Sequence, residues 1–491
     1  MSSLSILILV PLLLFCFISA LVGIWRLRWA YATAVIGMAL ALVAAGAGLS
    51  RVLSDGELRH FLGGWPPPFG IEYVLDHLSA FIAIIIVFIG LIAVIYPPQA
   101  GLYHTPRRGI PAYGLILLLI AGLVGVVVTG DLFNLFVFLE IYSLASYALI
   151  TLGGDKAVVA SFRYLILGTI AGSFYLLGVG FIYFSTGTLN MADAAQRLPL
   201  LYGSPTIMAA VALIVVGMGI KMALFPLHVW LPDAHSYAPP VVAAILAAIQ
   251  IEVAAYVIVR MMLTIFQPQY FIDILPVTTI IGWVAAAGII FGSVMAIAQK
   301  DFKRMLAYST VAQVAYIGLG IGLANPFGLI GALLHILNHA FMKSCLFLIA
   351  GGIRYQTGLH AIPQFAGLGR KMPLMMGAFT VAALSMVGIP PMAGFFSKWY
   401  LVLGGIEANN WAFVAVILAS SLLTAVYFFR MIEKLFATPS SNEPAVEQAT
   451  EPPARILAPI LILAVGIIIL GLINALIVSY VLKPIVALLP Q

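Results

Sequence analysis

Runs of apolar residues, each about twenty residues long, recur along nearly the whole chain. A helix of that length crosses the roughly 30 Å hydrocarbon layer of a bilayer. Only 8% of the 491 residues are charged, far fewer than in soluble domains, and no soluble domain interrupts the runs. The sequence therefore predicts an all-α polytopic membrane protein with about 14 transmembrane helices. The predicted helices 1 to 14 cover residues 5–24, 31–49, 77–96, 109–129, 132–152, 162–184, 205–229, 240–264, 271–298, 305–323, 327–351, 373–403, 411–436 and 456–480.

Two of these runs contain prolines deep inside them, which predicts broken helices. Helix 7 carries Pro226 five residues after Lys221, and helix 12 carries Pro390 and Pro391 shortly before Lys398. Interrupted segments in corresponding places indicate internal repeats in transporters, so we expect two inverted five-helix repeats. The predicted domains are 1–108 with helices 1–3 and an outer loop, 109–265 with the first repeat (helices 4–8), 266–437 with the second repeat (helices 9–13), and 438–491 with a flexible cytoplasmic linker and helix 14.

The basic residues are distributed unevenly between the two sets of loops. Of the 23 Lys and Arg residues, fifteen lie at the connections after odd-numbered helices, five lie on the opposite side and three lie inside the runs. Because cytoplasmic loops carry the excess of positive charge, this pattern predicts a protein of the inner (cytoplasmic) membrane with both termini on the outer side. Scattered loop charges of this kind do not indicate nucleic-acid binding.

Seven ionisable residues lie in the middle of apolar runs. Each costs several kcal/mol there unless it is paired or hydrated. For any one of them a structural hydrogen bond or a snorkelling side chain is an adequate explanation, whereas seven together favour a proton pathway. The predicted proton-transfer residues are Glu140, Lys221, Glu252, His335, His339, Lys343 and Lys398.

Glu140 lies nine positions beyond the interfacial Asp131, or roughly 13 Å deeper along a helix. A buried carboxylate and a buried ammonium that lie close together titrate jointly. Movement of another charge nearby would then switch Lys221 between holding and releasing a proton. We expect Glu140 and Lys221 to act as such a pair.

His335, His339 and Lys343 recur at a spacing of four residues, which places them along one face of helix 11. Two histidines at this spacing also suit a metal ion, but no Glu follows the first one and a nearby lysine would repel a cation. The two cysteines are too few and too far apart for an iron–sulfur cluster. We therefore expect no metal and no cofactor, and the chain has no redox site of its own. His228 and His235, around the break of helix 7, are expected to be structural.

Four stretches carry a family resemblance: Thr-Gly-Asp-Leu-Phe-Asn-Leu-Phe-Val-Phe-Leu-Glu at 129–140, Gly-Ile-Lys-Met-Ala-Leu-Phe-Pro-Leu-His-Val-Trp-Leu-Pro-Asp-Ala-His at 219–235, Lys-Arg-Met-Leu-Ala-Tyr-Ser-Thr at 303–310 and Gly-Ile-Pro-Pro-Met-Ala-Gly-Phe-Phe-Ser-Lys at 388–398. They resemble the antiporter-like membrane subunits of respiratory complex I, energy-converting hydrogenases and Mrp cation/proton antiporters. Residues 129–140 are most similar to the D-type subunit of Mrp antiporters, whereas 335–350 and 388–400 fit hydrogenase-linked relatives equally well. The parent complex, and whether it is an oxidoreductase, stay open.

The resemblance implies a proton-translocating subunit that works with other membrane subunits of one complex. In the family, a glutamate of helix 5 pairs with a lysine of helix 7, a central lysine lies on helix 8, and a lysine or glutamate of helix 12 reaches the exit side. Glu140, Lys221 and Lys398 match these positions, but Glu252 stands where the family has the central lysine. An acid next to Lys221 would favour a cation, so sodium is an alternative to protons alone. A non-conducting scaffold subunit and a stand-alone solute carrier also stay open as functions of the chain.

Overall fold

The computed structural model describes residues 4–97, 100, 106–437 and 443–489, and it is helical almost throughout. Twelve helices in the described part are long and apolar enough to cross a membrane, by length and composition. The labels below follow the predicted helices. The helices are α1 Leu4–Trp25, α2 Leu27–Asp55, α3 His77–Ile95, α4 Pro106–Val128, α5 Leu132–Thr151, α6 Asp155–Thr186, α7a Pro205–Lys221, α7b Leu231–Tyr237, α8 Pro240–Ile265, α9 Val277–Ala298, α10 Phe302–Leu323, α11 Pro326–Thr357, α12a Pro373–Val387, α12b Ala393–Glu407, α13 Trp411–Phe436 and α14 Ala454–Leu472.

The prediction of a polytopic all-α membrane protein is confirmed. The two runs with the predicted breaks do not form single long helices, because α7a and α7b, and α12a and α12b, are separate pieces. A further apolar helix, Asn474–Val486, follows α14, so the predicted last run at 456–480 is divided in two. The count of fourteen stays a prediction.

Two extramembrane segments have more structure than their composition predicts. Between α2 and α3, strands β1 (Leu58–Phe61) and β2 (Glu72–Leu75) form an antiparallel hairpin with Leu58 opposite Leu75. The expected flexible linker at 438–455 includes residues 438–442, which lie outside the described residues. Its remaining part is docked, because Lys371 donates to the Glu447 carbonyl at 2.9 Å and Gln356 donates to the Thr450 carbonyl at 2.8 Å.

Helices α8 and α11 lie at the centre of the bundle. Their most apolar 18-residue windows are buried completely inside the protein, whereas only a third of the α1 and α2 windows is buried. Large apolar side chains such as Phe17 and Val43 are exposed on the outer helices, as expected for surfaces in contact with lipid. Ionisable residues on α8 and α11 are therefore shielded from lipid by the surrounding helices.

Helices α5 and α10 begin in the same way. Asp131 and Asp301 are their N-caps, and each carboxylate accepts a hydrogen bond from the backbone N–H three residues later, at 2.7 and 2.8 Å. Each aspartate also forms an isolated antiparallel bridge to a residue shortly after the next helix, Asn190 and Ala361 respectively. The helices in between, α6 and α11, are both 32 residues long. These parallels support the predicted repeat of helices 4–8 and 9–13, which stays a prediction together with the domain limits.

Candidate functional site

Lys221 is the last residue of α7a, directly before the break. It is 2% exposed, and its Nζ donates to Ser143 Oγ of α5 at 2.6 Å. The ammonium also lies 5.6 Å from the centre of the Tyr142 ring. Among the described residues no ion pair joins Lys221 to Glu140, so the direct pair that the resemblance implies is absent. Lys221 instead contacts a hydroxyl that lies one helical turn beyond the glutamate.

Glu140 is only half buried and lies on the lateral surface of the bundle. Its Oε1 atom is buried against Gly172 of α6 and has no hydrogen-bond partner among the described residues. A Cβ at position 172 would lie 2.3 Å from that oxygen, so any larger residue there would force the carboxylate to move. The exposed neighbours on the same face of α5 are apolar, namely Phe133, Val137 and Leu144. The carboxylate thus lies within an apolar lateral surface.

A buried polar and aromatic cluster lies between the break of α7 and helix α8. Trp230 Nε1 donates to the Ile220 carbonyl at 2.9 Å, which satisfies one of the last carbonyls of α7a. The Tyr164 ring stacks on Trp230 with 3.8 Å between centroids, and its hydroxyl accepts a hydrogen bond from Gln250. Gln250 ends a π-helical turn of α8, a feature that is frequent at functional sites.

Glu252 and His339 form the centre of the site. The carboxylate is 1% exposed and the imidazole is fully buried, and 2.6 Å separates Glu252 Oε1 from His339 Nδ1. The other carboxylate oxygen and His339 Nε2 have no hydrogen-bond partner among the described residues. The hydrogen-bond partner of Glu252 is thus an imidazole of α11, whereas that of Lys221 is Ser143. A closely hydrogen-bonded acid and base can exchange a proton directly.

His335 continues this line toward α12b. Its ring lies 5.9 Å from that of His339, and its Nδ1 is 3.0 Å from Ser397 Oγ. The Tyr316 ring lies 5.4 Å from the His335 ring and 4.9 Å from Lys398 Nζ. A continuous series of contacts therefore runs from Glu252 to Lys398 through the protein interior.

Lys398 lies in α12b, but its ammonium reaches back across the break. Nζ donates to the Met386 carbonyl at 2.9 Å and the Val387 carbonyl at 3.1 Å, which are the last two carbonyls of α12a, and lies 3.2 Å from Ser421 Oγ. A cation at the C-terminal end of a helix is favoured by the helix dipole. Lys398 thus satisfies backbone groups that the break leaves without helical partners.

Lys343 is fully buried, and its hydrogen bonds go to α10 and not to the two histidines. Its Nζ donates to the Leu306 carbonyl of α10 at 2.9 Å and to Ser309 Oγ. The three members of the predicted stripe therefore have different partners, although they share one helix. Beside this stripe, both ring nitrogens of the fully buried His235 and the side-chain amide of Gln313 have no hydrogen-bond partner in the described part of the chain.

Several buried polar atoms of the site thus have no partner among the described residues. Buried polar atoms in proteins are hydrogen-bonded in the great majority of cases, often to internal water. Their concentration around α8 and α11 indicates a hydrated polar interior. They are Glu140 Oε1, Gln250 Oε1, Glu252 Oε2, Gln313 Oε1 and Nε2, His235 Nδ1 and Nε2, His335 Nε2, His339 Nε2 and Ser344 Oγ.

Sequence reasoning missed several polar or aromatic contributors to this site, namely Ser143, Tyr164, Gln250, Gln313, Tyr316 and Ser397. None is ionisable near neutral pH, so the search for buried charges passed over them. Gln250 could have been found from the sequence, because burying a side-chain amide in an apolar run is also costly. Among the described residues no group of three or more His, Cys, Asp or Glu side chains is placed to hold a metal ion.

The chain is similar to known membrane subunits along most of its length. Residues 129–424 match the family model described as "NADH:quinone oxidoreductase/Mrp antiporter, TM". NADH-quinone oxidoreductase subunit N of Desulforudis audaxviator is 52% identical over 91% of this chain and 92% of its own length. The D-type Na(+)/H(+) antiporter subunit of Alkalihalophilus pseudofirmus is 34% identical over 89% of this chain and 87% of its own length.

The solved structure of the membrane-bound sulfane sulfur reductase, an archaeal respiratory membrane complex, contains a chain of the same fold. Its TM-score to this protein is 0.89 at 30% sequence identity, over 99% of both chains. The family model covers more than half of the residues, and the similarity to the two subunits extends over nearly the whole length. The chain therefore belongs to the family of NADH:quinone oxidoreductase and Mrp antiporter transmembrane subunits.

Proposed function

We propose that this chain translocates protons as one subunit of a larger membrane complex, through Glu140, Lys221, Glu252, His335, His339, Lys343 and Lys398. The observation that carries the proposal is the series of contacts from Glu252 to Lys398 inside the two fully enclosed helices α8 and α11. Ionisable groups at such depth are costly, and their usual role in membrane proteins is proton or ion transfer.

The proton path has two parts of different construction. From Glu252 onward, protonatable groups lie within contact distance of one another. Between Lys221 and Glu252 the connection is the cluster of Trp230, Tyr164 and Gln250, whose unpartnered amide oxygen offers a site for water. Lys221 would pass its proton through this cluster after a change in the charge of Glu140.

Glu252 of α8 gives the centre of the proton path a different charge from that in relatives, which have a lysine at this position. Glu252 and His339 together hold one proton easily, either as a neutral acid beside a neutral imidazole or as a carboxylate beside an imidazolium. Lys343, on the same helix as His339, supplies the nearby positive charge that a lysine of helix 8 would otherwise provide. Sodium at Glu252 remains the alternative cargo.

The partners of the chain are other membrane subunits of the same complex. This follows from its relatives, which are named as subunits of an NADH-quinone oxidoreductase and of a Na(+)/H(+) antiporter. The 52% identity with the oxidoreductase subunit, against 34% with the antiporter subunit, favours a redox-driven parent complex over an antiporter. We place the chain in the inner membrane with both termini on the outer side, on the basis of the loop charges.

The proposal is tested by Lys221→Ala in membranes that contain the assembled complex. Proton movement, followed with a pH-sensitive dye in sealed vesicles, should fall by roughly a hundredfold because the proton carrier of α7 is removed. The matched control is Lys300→Ala, which removes an exposed lysine outside the site. Normal proton movement in the Lys221 variant, with the complex intact, would favour the scaffold function instead.

A further inference from the structure

A basic cavity lies outside the proton path, where α6 and α10 begin and α11 ends. Its volume is about 400 Å³. Four cationic side chains line it, Lys156, Lys303, Arg304 and Arg354, together with apolar groups that include Phe302. The cavity is therefore wide enough for more than a single ion and combines positive charge with an apolar wall.

Most of this positive charge is not balanced by acidic side chains. Arg304 lies 3.4 Å from the carboxylate of Asp233. Asp301, the acid that lines the cavity, uses its carboxylate to cap α10. Among the described residues, no carboxylate lies within ion-pair distance of Lys156, Lys303 or Arg354. The cavity thus has an excess of positive charge, which favours an anionic ligand.

Lys303 is the most deeply buried of the four cations. Its side chain is more than nine-tenths buried, and its ammonium donates to the carbonyl of Ala238, at the start of α8. An ammonium carries three donors, and among the described residues this neutral carbonyl is the one hydrogen-bond partner of the Lys303 side chain. A buried cation in this state is costly, and an anion in the cavity would remove that cost.

We propose that the cavity binds the phosphate group of an anionic phospholipid headgroup. Lysine and arginine are the usual partners of phosphate oxygens, and basic pockets between transmembrane helices bind such headgroups. The apolar wall at Phe302 and Phe365 suits the glycerol and the first acyl carbons. Inorganic phosphate presents the same oxygens without this apolar part, and the experiment separates the two sources.

The experiment uses the purified full-length chain in a neutral detergent. Binding of short-chain phosphatidylglycerol, of the zwitterionic short-chain phosphatidylcholine and of inorganic phosphate is measured by calorimetric titration. The test variant is Lys156→Gln with Arg354→Gln, both at exposed positions on the rim of the cavity, and the matched control is Arg26→Gln with Arg28→Gln, an exposed basic pair outside it. Equal thermal unfolding of the two double variants establishes that both are folded.

We expect phosphatidylglycerol to bind saturably, more tightly than phosphatidylcholine, and roughly thirtyfold more weakly to the test variant than to the control. Inorganic phosphate should bind more weakly than the lipid and compete with it. Lipid binding that is equal in both double variants would overturn the proposal, as would an unmodified chain that binds none of the probes. Inorganic phosphate that binds as tightly as the lipid would overturn the assignment to a headgroup. The assay does not depend on proton movement, so its outcome is independent of the proton path.

Discussion

The two broken helices hold their lysines in opposite ways. Lys221 ends the first piece of helix 7 and turns to another helix, where Ser143 accepts its hydrogen bond and Glu140 lies one turn away. Lys398 belongs to the second piece of helix 12 and turns back to the first piece, where two backbone carbonyls accept. Lys221 thus has a carboxylate nearby, whereas Lys398 is held by fixed backbone dipoles. From this contrast we propose a switch at the first break and a fixed site at the second.

The largest expected effect is that of Lys398→Ala. Proton movement in vesicles with the assembled complex should fall by roughly a hundredfold, because the last carrier of the path is removed. Lys300→Ala again serves as the control. If the Lys398 variant conducted normally while Lys221→Ala did not, Lys398 would be a helix cap and not a member of the path.

Asn338→Ala tests how the second break is supported. Asn338 Nδ2 donates to the Ala393 carbonyl at 2.7 Å, and the substitution removes this buried hydrogen bond between α11 and α12b. Unfolding should become easier by about 1 kcal/mol. The control is Ser344→Ala on the same helix, which removes a buried hydroxyl that has no hydrogen-bond partner among the described residues. Equal thermal stability of the two variants would contradict the assigned role of Asn338.

Glu140→Gln tests whether Lys221, unlike Lys398, depends on a nearby carboxylate. Loss of the negative charge near Lys221 should slow proton movement by about tenfold, because the buried ammonium loses the anion that favours its charged form. The rate should recover partly at lower pH, where Lys221 is protonated again. Glu407→Gln, at an exposed position, is the control. If the Glu140 variant kept the full rate of proton movement at every pH, Lys221 would not depend on this carboxylate. The proposed difference between Lys221 and Lys398 would then be wrong.

The sequence predicts the helices and their breaks because apolar runs and internal prolines act locally. It also locates the buried charges, since six of the seven predicted residues are at most 5% exposed, and Glu140 alone is half buried. It does not predict their partners. Glu252 meets His339, which lies 87 residues further along the chain, and no spacing within one helix encodes such a contact. The π-helical turn before Glu252 also shifts the face of α8 in a way that the regular 3.6-residue period does not reveal.

The smallest expected effect concerns the parallel starts of α5 and α10. Asp131→Ala and Asp301→Ala each remove an N-cap, so each should reduce the free energy of unfolding by about 1 kcal/mol.

Asp131 is 9% exposed, and burial raises the pKa of its carboxyl, with Glu72 adding to the rise, although backbone hydrogen bonds at the start of α5 lower it. A raised pKa in the folded protein means that the ionised carboxylate is less favoured there than in the unfolded chain. The contribution of Asp131 should therefore be complete below the unfolded carboxyl pKa of about 3.9 and should fall as the pH rises through the raised folded pKa, so Asp131→Ala should be less destabilising at pH 7 than at pH 3. Thermal unfolding of both variants at the two values checks this, and a larger loss for Asp131→Ala at the higher pH would show that the backbone hydrogen bonds outweigh burial.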